Sequence, residues 1–213
     1  MKNHLLLALL SFVSIGANAG TYTDRTTFES AVNIGYKETF QSLNGTVGFT
    51  GPITLPTALT VSSPSNNLFS VGAGQSSNPT EAIGSNYPAG DYLSFDLGGN
   101  YLAFGADLFQ NFGGGSQRSS PVTFALSFFD GATLLSSITT LVAPNGGSFI
   151  GFTSDAGAFN RVHVLSQSGG YEVVDNVTVG TVTAVPEPET YALMLAGLGM
   201  VGTIVRRRKA QQP

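Results

Sequence analysis

The sequence predicts an all-β fold: an antiparallel β-sandwich of the jelly-roll kind, with one short helix near its start and a transmembrane helix at its C-terminus. Three observations predict the sandwich. Short runs of β-branched and aromatic residues alternate with polar ones along most of the chain. Gly, Pro and Asn punctuate those runs, with 27 Gly and 10 Pro among 213 residues. No helical periodicity separates the strands, which disfavours a doubly wound α/β arrangement. The 42% hydrophobic share supplies a core and argues against wholesale disorder. The length fits one domain plus appendages.

The helix comes first. Thr23 or Asp24 can cap it, Thr26-x-x-Glu29 fits a capping box, Phe28, Ala31 and Val32 fall on one face, and Gly35 ends it. Strands are then predicted near 36–41, 46–50, 58–61, 68–71, 92–97, 100–109, 121–129, 132–141, 148–153, 159–166 and 171–179. The clearest hairpin turns at Asp130-Gly131, a pair suited to positive backbone angles. The Ser-, Asn-, Gly- and Pro-rich stretch 62–90 reads as a long loop, and 111–120, with Gly113-Gly114-Gly115, as a second. No Lys-Ser/Thr follows those glycines, so they do not form a phosphate loop.

Both ends read as addresses. Met1-Lys2-Asn3-His4, the apolar run 5–15 and Ala17-Asn18-Ala19 make a secretory signal peptide over residues 1–19, cut after Ala19. The body then spans 20–184. At the other end, Pro186-Glu187-Pro188 precedes an apolar stretch of about 190–205, and a basic tail, 206–209, follows. The last apolar residues cover roughly 22 Å as helix, a short span for a hydrocarbon core of about 30 Å. Arg206, Arg207 and Arg208 would hold the cytoplasmic side and leave the body outside the inner membrane.

Pro186-Glu187-Pro188, the Leu/Gly-rich run with Ala196-Gly197-Leu198-Gly199, and the Arg tail together resemble a PEP-CTERM sorting signal over residues 185–213. The resemblance implies an exported protein of a Gram-negative bacterium, processed near the triplet by an exosortase-type membrane protease. It also implies a cell-surface or extracellular-matrix destination linked to exopolysaccharide and biofilm.

The body carries eleven acidic side chains against four basic ones, Arg25, Lys37, Arg118 and Arg161, a net charge of −7. Such a surface cannot neutralise a row of phosphates, so no nucleic-acid partner is expected. The absence of Cys excludes thiolate catalysis, disulfide scaffolds and Cys-ligated zinc. No Gly-x-Ser-x-Gly elbow or His-Glu-x-x-His helix occurs. His163, the body's one histidine, reads as a solvated residue beside Arg161, on the face opposite Val162 and Val164.

Strand alternation singles out two acids. Counting by twos, Tyr171, Val173, Asp175, Val177 and Val179 share one face, and Glu38 shares another with Tyr36 and Phe40. An unpaired carboxylate on an apolar face is costly. Ca²⁺ would satisfy both Glu38 and Asp175; backbone hydrogen bonds to Asp175 and exposure of Glu38 are the alternative. Residues 170–177, Gly-Tyr-Glu-Val-Val-Asp-Asn-Val, are similar to the closing strand of calcium-binding jelly-roll modules, many of them carbohydrate-binding. That resemblance implies a structural calcium at Asp175.

The function expected is a non-catalytic adhesion or exopolysaccharide-associated β-sandwich, with Tyr87, Tyr92, Tyr101 and Tyr171 as stacking candidates. Two alternatives stay open. One is a polysaccharide hydrolase using an acid pair from Asp91, Asp96, Asp107 and Asp155. The other is a purely structural calcium-binding module.

Overall fold

The computed structural model describes residues 19–75, 78–85, 90–111, 120–144, 146–167, 171–183, 194–202 and 206. The chain divides into two units: Ala17–Thr183, and a second formed by Met1–Gly16 with Ala184–Pro213. In the second unit residues 194–202 are helical. Among the described residues no helix is long and apolar enough to cross a membrane. The remainder of the expected transmembrane stretch, the Pro186-Glu187-Pro188 triplet, Arg207, Arg208 and residues 1–18 of the expected signal peptide lie outside the described residues.

The first unit is a sandwich of two antiparallel sheets. Strand β1 (Gly20–Tyr22) is followed by helix α1 (Arg25–Ala31) and strand β2 (Val32–Glu38), then by the short strands β3 (Gly48–Phe49), β4 (Ile53–Thr54), β5 (Thr60–Ser62), β6 (Leu68–Val71) and β7 (Ala82–Ser85). Seven longer strands complete it: β8 (Leu93–Tyr101), β9 (Ala103–Asn111), β10 (Val122–Asp130), β11 (Thr133–Val142), β12 (Ser148–Thr153), β13 (Phe159–Ser166) and β14 (Tyr171–Val182). The eight-stranded sheet runs β1-β12-β9-β14-β7-β6-β3, with β2 also paired to β14; the six-stranded sheet runs β11-β10-β13-β8-β5-β4. From β8 onward the chain passes back and forth between the sheets, except at the β10–β11 hairpin, so each crossing stitches the two layers together.

The strand rhythm explains the core. In β10, Val122, Phe124, Leu126 and Phe128 are buried and alternate with more open residues, as a half-covered strand requires. Phe128 meets Phe152 across the sandwich at 4.2 Å and 24°, and Phe104 at 6.2 Å and 71°, so aromatic faces and edges interlock the sheets. Gly131, at φ 57°, makes the predicted turn between β10 and β11.

Four expectations change. Asp24, one of the two caps the sequence offers, accepts from Thr27 N at 2.7 Å, but the Thr26-x-x-Glu29 capping box does not form: Thr26 lies inside the helix and Glu29 meets Arg25 and Lys37 at 3.3 and 2.7 Å. Gly35 does not end the helix: Val32 is already extended, and Gly35 lies within β2. The stretch 62–90 hides β7, all four of whose residues are buried, so no alternation betrays it. Strand β14 does not alternate evenly either. Asn176 adopts φ 50° and its register with β9 slips between Asp175 and Thr178, which marks a β-bulge. Val174, Val177 and Val179 therefore face the main core, whereas Val173 belongs to a separate cluster with Val71, Ala82 and Phe109.

Helix α1 covers the part of the outer face of the eight-stranded sheet formed by β1, β12 and β2. Phe28 packs with Val32, Ala103, Tyr22 and Phe149. Beneath its ring lie Gly105 and Gly151, directly paired across β9 and β12. A Cβ on Gly151 would stand 2.5 Å from the Phe28 ring, so only glycine lets the helix dock this close.

Candidate functional site

The outer face of the six-stranded sheet carries a larger polar groove than the one of about 270 Å³ beside Asp107 and Asn176 on the other sheet. Alternation along β13 buries Val162 and Val164 and turns Arg161 and His163 outward. Their cross-strand partners on β8 are Asp96 and Ser94, which in turn oppose Thr60 and Ser62 on β5. Two polar rows thus cross three strands. With Pro52, Ser63, Pro64 and Tyr92 at their margin they line a groove of about 390 Å³.

Aromatic rings sit within this polar field. Tyr92 stacks on His163 at 4.3 Å and 24°, and Phe129 leans on the same imidazole at 4.5 Å and 43°. His163 is half-buried between them, as its outward position alone did not foretell. Burial depresses its pKa and neighbouring Arg161 pushes it the same way, so the imidazole is neutral at pH 7. Arg161 reaches Asp96 at 3.7 Å and donates to Gly131 O at 3.3 Å, leaving both charged groups partly exposed.

Asp91 braces the groove from behind. It is buried and accepts from Ser65 N at 3.3 Å and Ser65 Oγ at 2.5 Å, which fixes the turn that carries Ser63 and Pro64. The other acids considered for a hydrolytic pair are dispersed. Asp96 lies on the six-stranded sheet, Asp107 on the eight-stranded sheet beside Arg25 at 3.0 Å, and Asp155 is exposed between β12 and β13. None shares a hydrogen-bond partner with another among the described residues.

Glu38 and Asp175 are both buried, but the structure does not bring them together. Glu38 lies opposite Val177 on the core side, accepting from Phe40 N at 2.8 Å and Thr57 Oγ1 at 2.7 Å. Asp175 precedes the bulge and faces the other side of the sheet, where Asn78 Nδ2 and Thr80 Oγ1 donate to it at 3.0 and 2.5 Å. Even counting along each strand placed both acids on the apolar side; it holds for Glu38, but the extra residue at Asn176 turns Asp175 to the other face. Burial pushes the Asp175 carboxyl up, its hydrogen bonds with Thr80, Asn78 and Asn176 oppose this, and Asp107 across the ladder adds to the rise. Among the described residues no group of three or more His, Asp or Glu is arranged to hold a metal.

Of the tyrosines considered for stacking, Tyr92 lies in the groove. Tyr101 packs edge-on against Tyr36 at 5.8 Å, Tyr171 opens β14, and Tyr87 lies outside the described residues. Phe129 and Ser94 were missed; their places opposite Arg161 and His163 follow only from the register of three strands.

The C-terminal segment is decided by sequence. Residues 184–209 match the PEP-CTERM protein-sorting motif. The match takes in Pro186-Glu187-Pro188 and Arg206-Arg207-Arg208. The sandwich is similar to carbohydrate-binding modules of solved structure. One is the CBM22-1 xylan-binding domain from Paenibacillus barcinonensis Xyn10C, at 15% identity and TM-score 0.40, over 73% of this chain and 98% of that one. Another is the Clostridium thermocellum xylanase 10B fragment with CBM22-1 and GH10 modules complexed with xylohexaose, at 16% identity and TM-score 0.38. That match covers 69% of this chain but 28% of the xylanase chain, so this protein spans under a third of its length. A family 6 carbohydrate-binding module matches at 19% identity and TM-score 0.34, over 56% of this chain and 86% of that one. No curated protein matches the sequence.

Proposed function

We propose that this chain is an exported cell-surface or extracellular-matrix protein of a Gram-negative bacterium. In this reading it is released by signal-peptide cleavage after Ala19 and handed to an exosortase-type protease at the PEP-CTERM motif. The apolar stretch 190–205 holds it in the inner membrane meanwhile, with Arg206, Arg207 and Arg208 on the cytoplasmic side. The body, residues 20–184, binds polysaccharide and catalyses nothing.

The observation that carries the binding reading is the Tyr92–His163 stack set in a groove of Ser, Thr, Asp and Arg side chains. A pyranose presents an apolar C–H face and a rim of hydroxyls. The first packs on an aromatic ring, and the second needs donors and acceptors at the margin. Arg161 and Asp96 supply one of each. The hydrolase alternative loses its support because Asp91 is consumed by Ser65 and its companions are dispersed.

Retention of the exported chain on matrix polysaccharide, with Tyr92→Ala as comparison, tests the reading. Wild-type retention lost in the variant supports it; equal retention refutes it. Calcium belongs to the proposal as a ligand of Glu38 and Asp175 taken separately, displacing their Thr57 and Thr80 hydroxyls. A melting temperature raised by millimolar calcium over EDTA, raised less in Asp175→Ala and in Glu38→Gln and not raised in the double variant, supports that part. Equal values in the wild type refute it.

A further inference from the structure

Sheet edges are templates for adding another strand, and proteins ordinarily shorten or charge them. Four of the edge strands here follow that rule. Strands β3 and β4 have two residues each, β1 has three, and β2 carries Lys37 and Glu38. Strand β11 does not. It closes one side of the six-stranded sheet, runs for ten residues, Thr-Leu-Leu-Ser-Ser-Ile-Thr-Thr-Leu-Val, and contains no charge, Gly or Pro. Its register with β10 slips once, at Leu135, and is regular over the seven residues from Ser136 to Val142, which form the flat part of the edge. Leu134 and Leu141, near its two ends, are 55% and 65% exposed. Among the described residues no strand pairs with its outer side.

We propose that β11 is a self-association edge, on which two copies of this chain pair antiparallel to make one continuous sheet across a two-fold axis. An antiparallel strand pair is self-complementary: over the regular stretch each copy's Ser136 lies beside the other's Val142, Thr139 sits at the two-fold axis, and the outward backbone donors of this stretch meet acceptors. The uncharged sequence brings no like charges together, although each body carries a net −7. A different partner would need an open, uncharged edge of its own. A second copy of this chain offers such an edge by symmetry. The assembly closes as a dimer, because the far edge of the same sheet is the two-residue β4, next to Pro52.

The test is the mass in solution of the full chain in mild detergent, by size exclusion with light scattering, at about 0.01 M and about 0.15 M salt. The expected result is a dimer whose share grows with salt, as screening weakens the repulsion of the bodies. Ser137→Lys with Thr139→Lys, both at exposed positions, should give a monomer with an unchanged circular dichroism spectrum. Because the chain has no Cys, single Ser137→Cys and Thr139→Cys variants give a second readout: at least one should form a disulfide-linked dimer on oxidation, and Thr54→Cys on β4 should not. The cysteine variants decide the matter if the lysine variant misfolds. A monomeric wild type at both salts, a dimer that survives the lysines, open-ended polymers, or crosslinking from Thr54 alone would each overturn the proposal.

Discussion

Glu172 and Gln110 stand opposite each other across the β14–β9 ladder, both on the core side of the sheet and almost wholly closed to water. Ser85 Oγ and Ser166 N donate to the carboxylate at 2.5 and 2.7 Å. Gln110 spends its amide hydrogens on the carbonyls of Ser120 and Val142, and among the described residues its Oε1 has no partner. Burial pushes the Glu172 pKa up to about 7, the Ser85 and Ser166 hydrogen bonds oppose it, and Asp91 adds to it. A carboxyl raised in the folded state binds its proton more tightly there than in the unfolded chain. Its contribution is therefore complete below the unfolded pKa and is lost as pH rises through about 7.

The melting temperature should consequently fall between pH 5 and pH 8, by roughly 5–10 °C for a loss on the order of 3 kcal/mol. Glu172→Gln, which fixes the neutral shape, should flatten that fall and melt higher than the wild type at pH 8. A thermal scan at stepped pH reads both. His163 works with the opposite sign: its depressed pKa gives stability above the unfolded pKa that is lost as pH falls. The Gln variant isolates that residual slope.

In the groove, Tyr92→Ala should weaken polysaccharide retention about tenfold or more, the equivalent of one lost stacking contact of about 1.5 kcal/mol. Tyr92 is only partly buried, so its removal should move the melting temperature little. Affinity electrophoresis beside a thermal scan separates loss of binding from loss of fold.

The docking of α1 depends on shape. Phe28→Ala should cost about 3–5 kcal/mol, since the ring is fully buried over Gly105 and Gly151. Gly151→Ala should cost about 1–3 kcal/mol by overpacking the same ring. Urea unfolding of the two variants and their double should show strong non-additivity, because both act on one contact.

Arg25 ties α1 to the bulge. It donates to Asn176 O at 3.0 Å and Thr178 Oγ1 at 3.1 Å, pairs with Asp107 at 3.0 Å, and lies 4.6 Å over the Phe149 ring. Arg25→Ala should destabilise by about 1–3 kcal/mol, and Arg25→Lys should recover only part of this, because an ammonium cannot span so many acceptors at once. Denaturant midpoints compare the two.

The sequence by itself determined the elements whose neighbours are alike along the chain. The alternation in β10 and β13 and the Asp130-Gly131 turn are local, and each is visible in a few consecutive residues, which also narrow the helix cap to Thr23 or Asp24. The Pro-Glu-Pro triplet, apolar run and Arg tail are also readable without a fold, because a sorting signal is read as a linear segment. Tertiary structure decided the rest. Strand β7 has no polar face because both of its sides are covered, so it carried no period-two signal. The αL residue Asn176 inserts one position into β14, and that single residue puts Asp175 and Glu38 on opposite faces. His163 looked merely solvated until Tyr92 and Phe129, distant in sequence, were laid beside it by the register of β8, β13 and β10. Periodicity reports which way a side chain points; only pairing between strands fixes what it meets there.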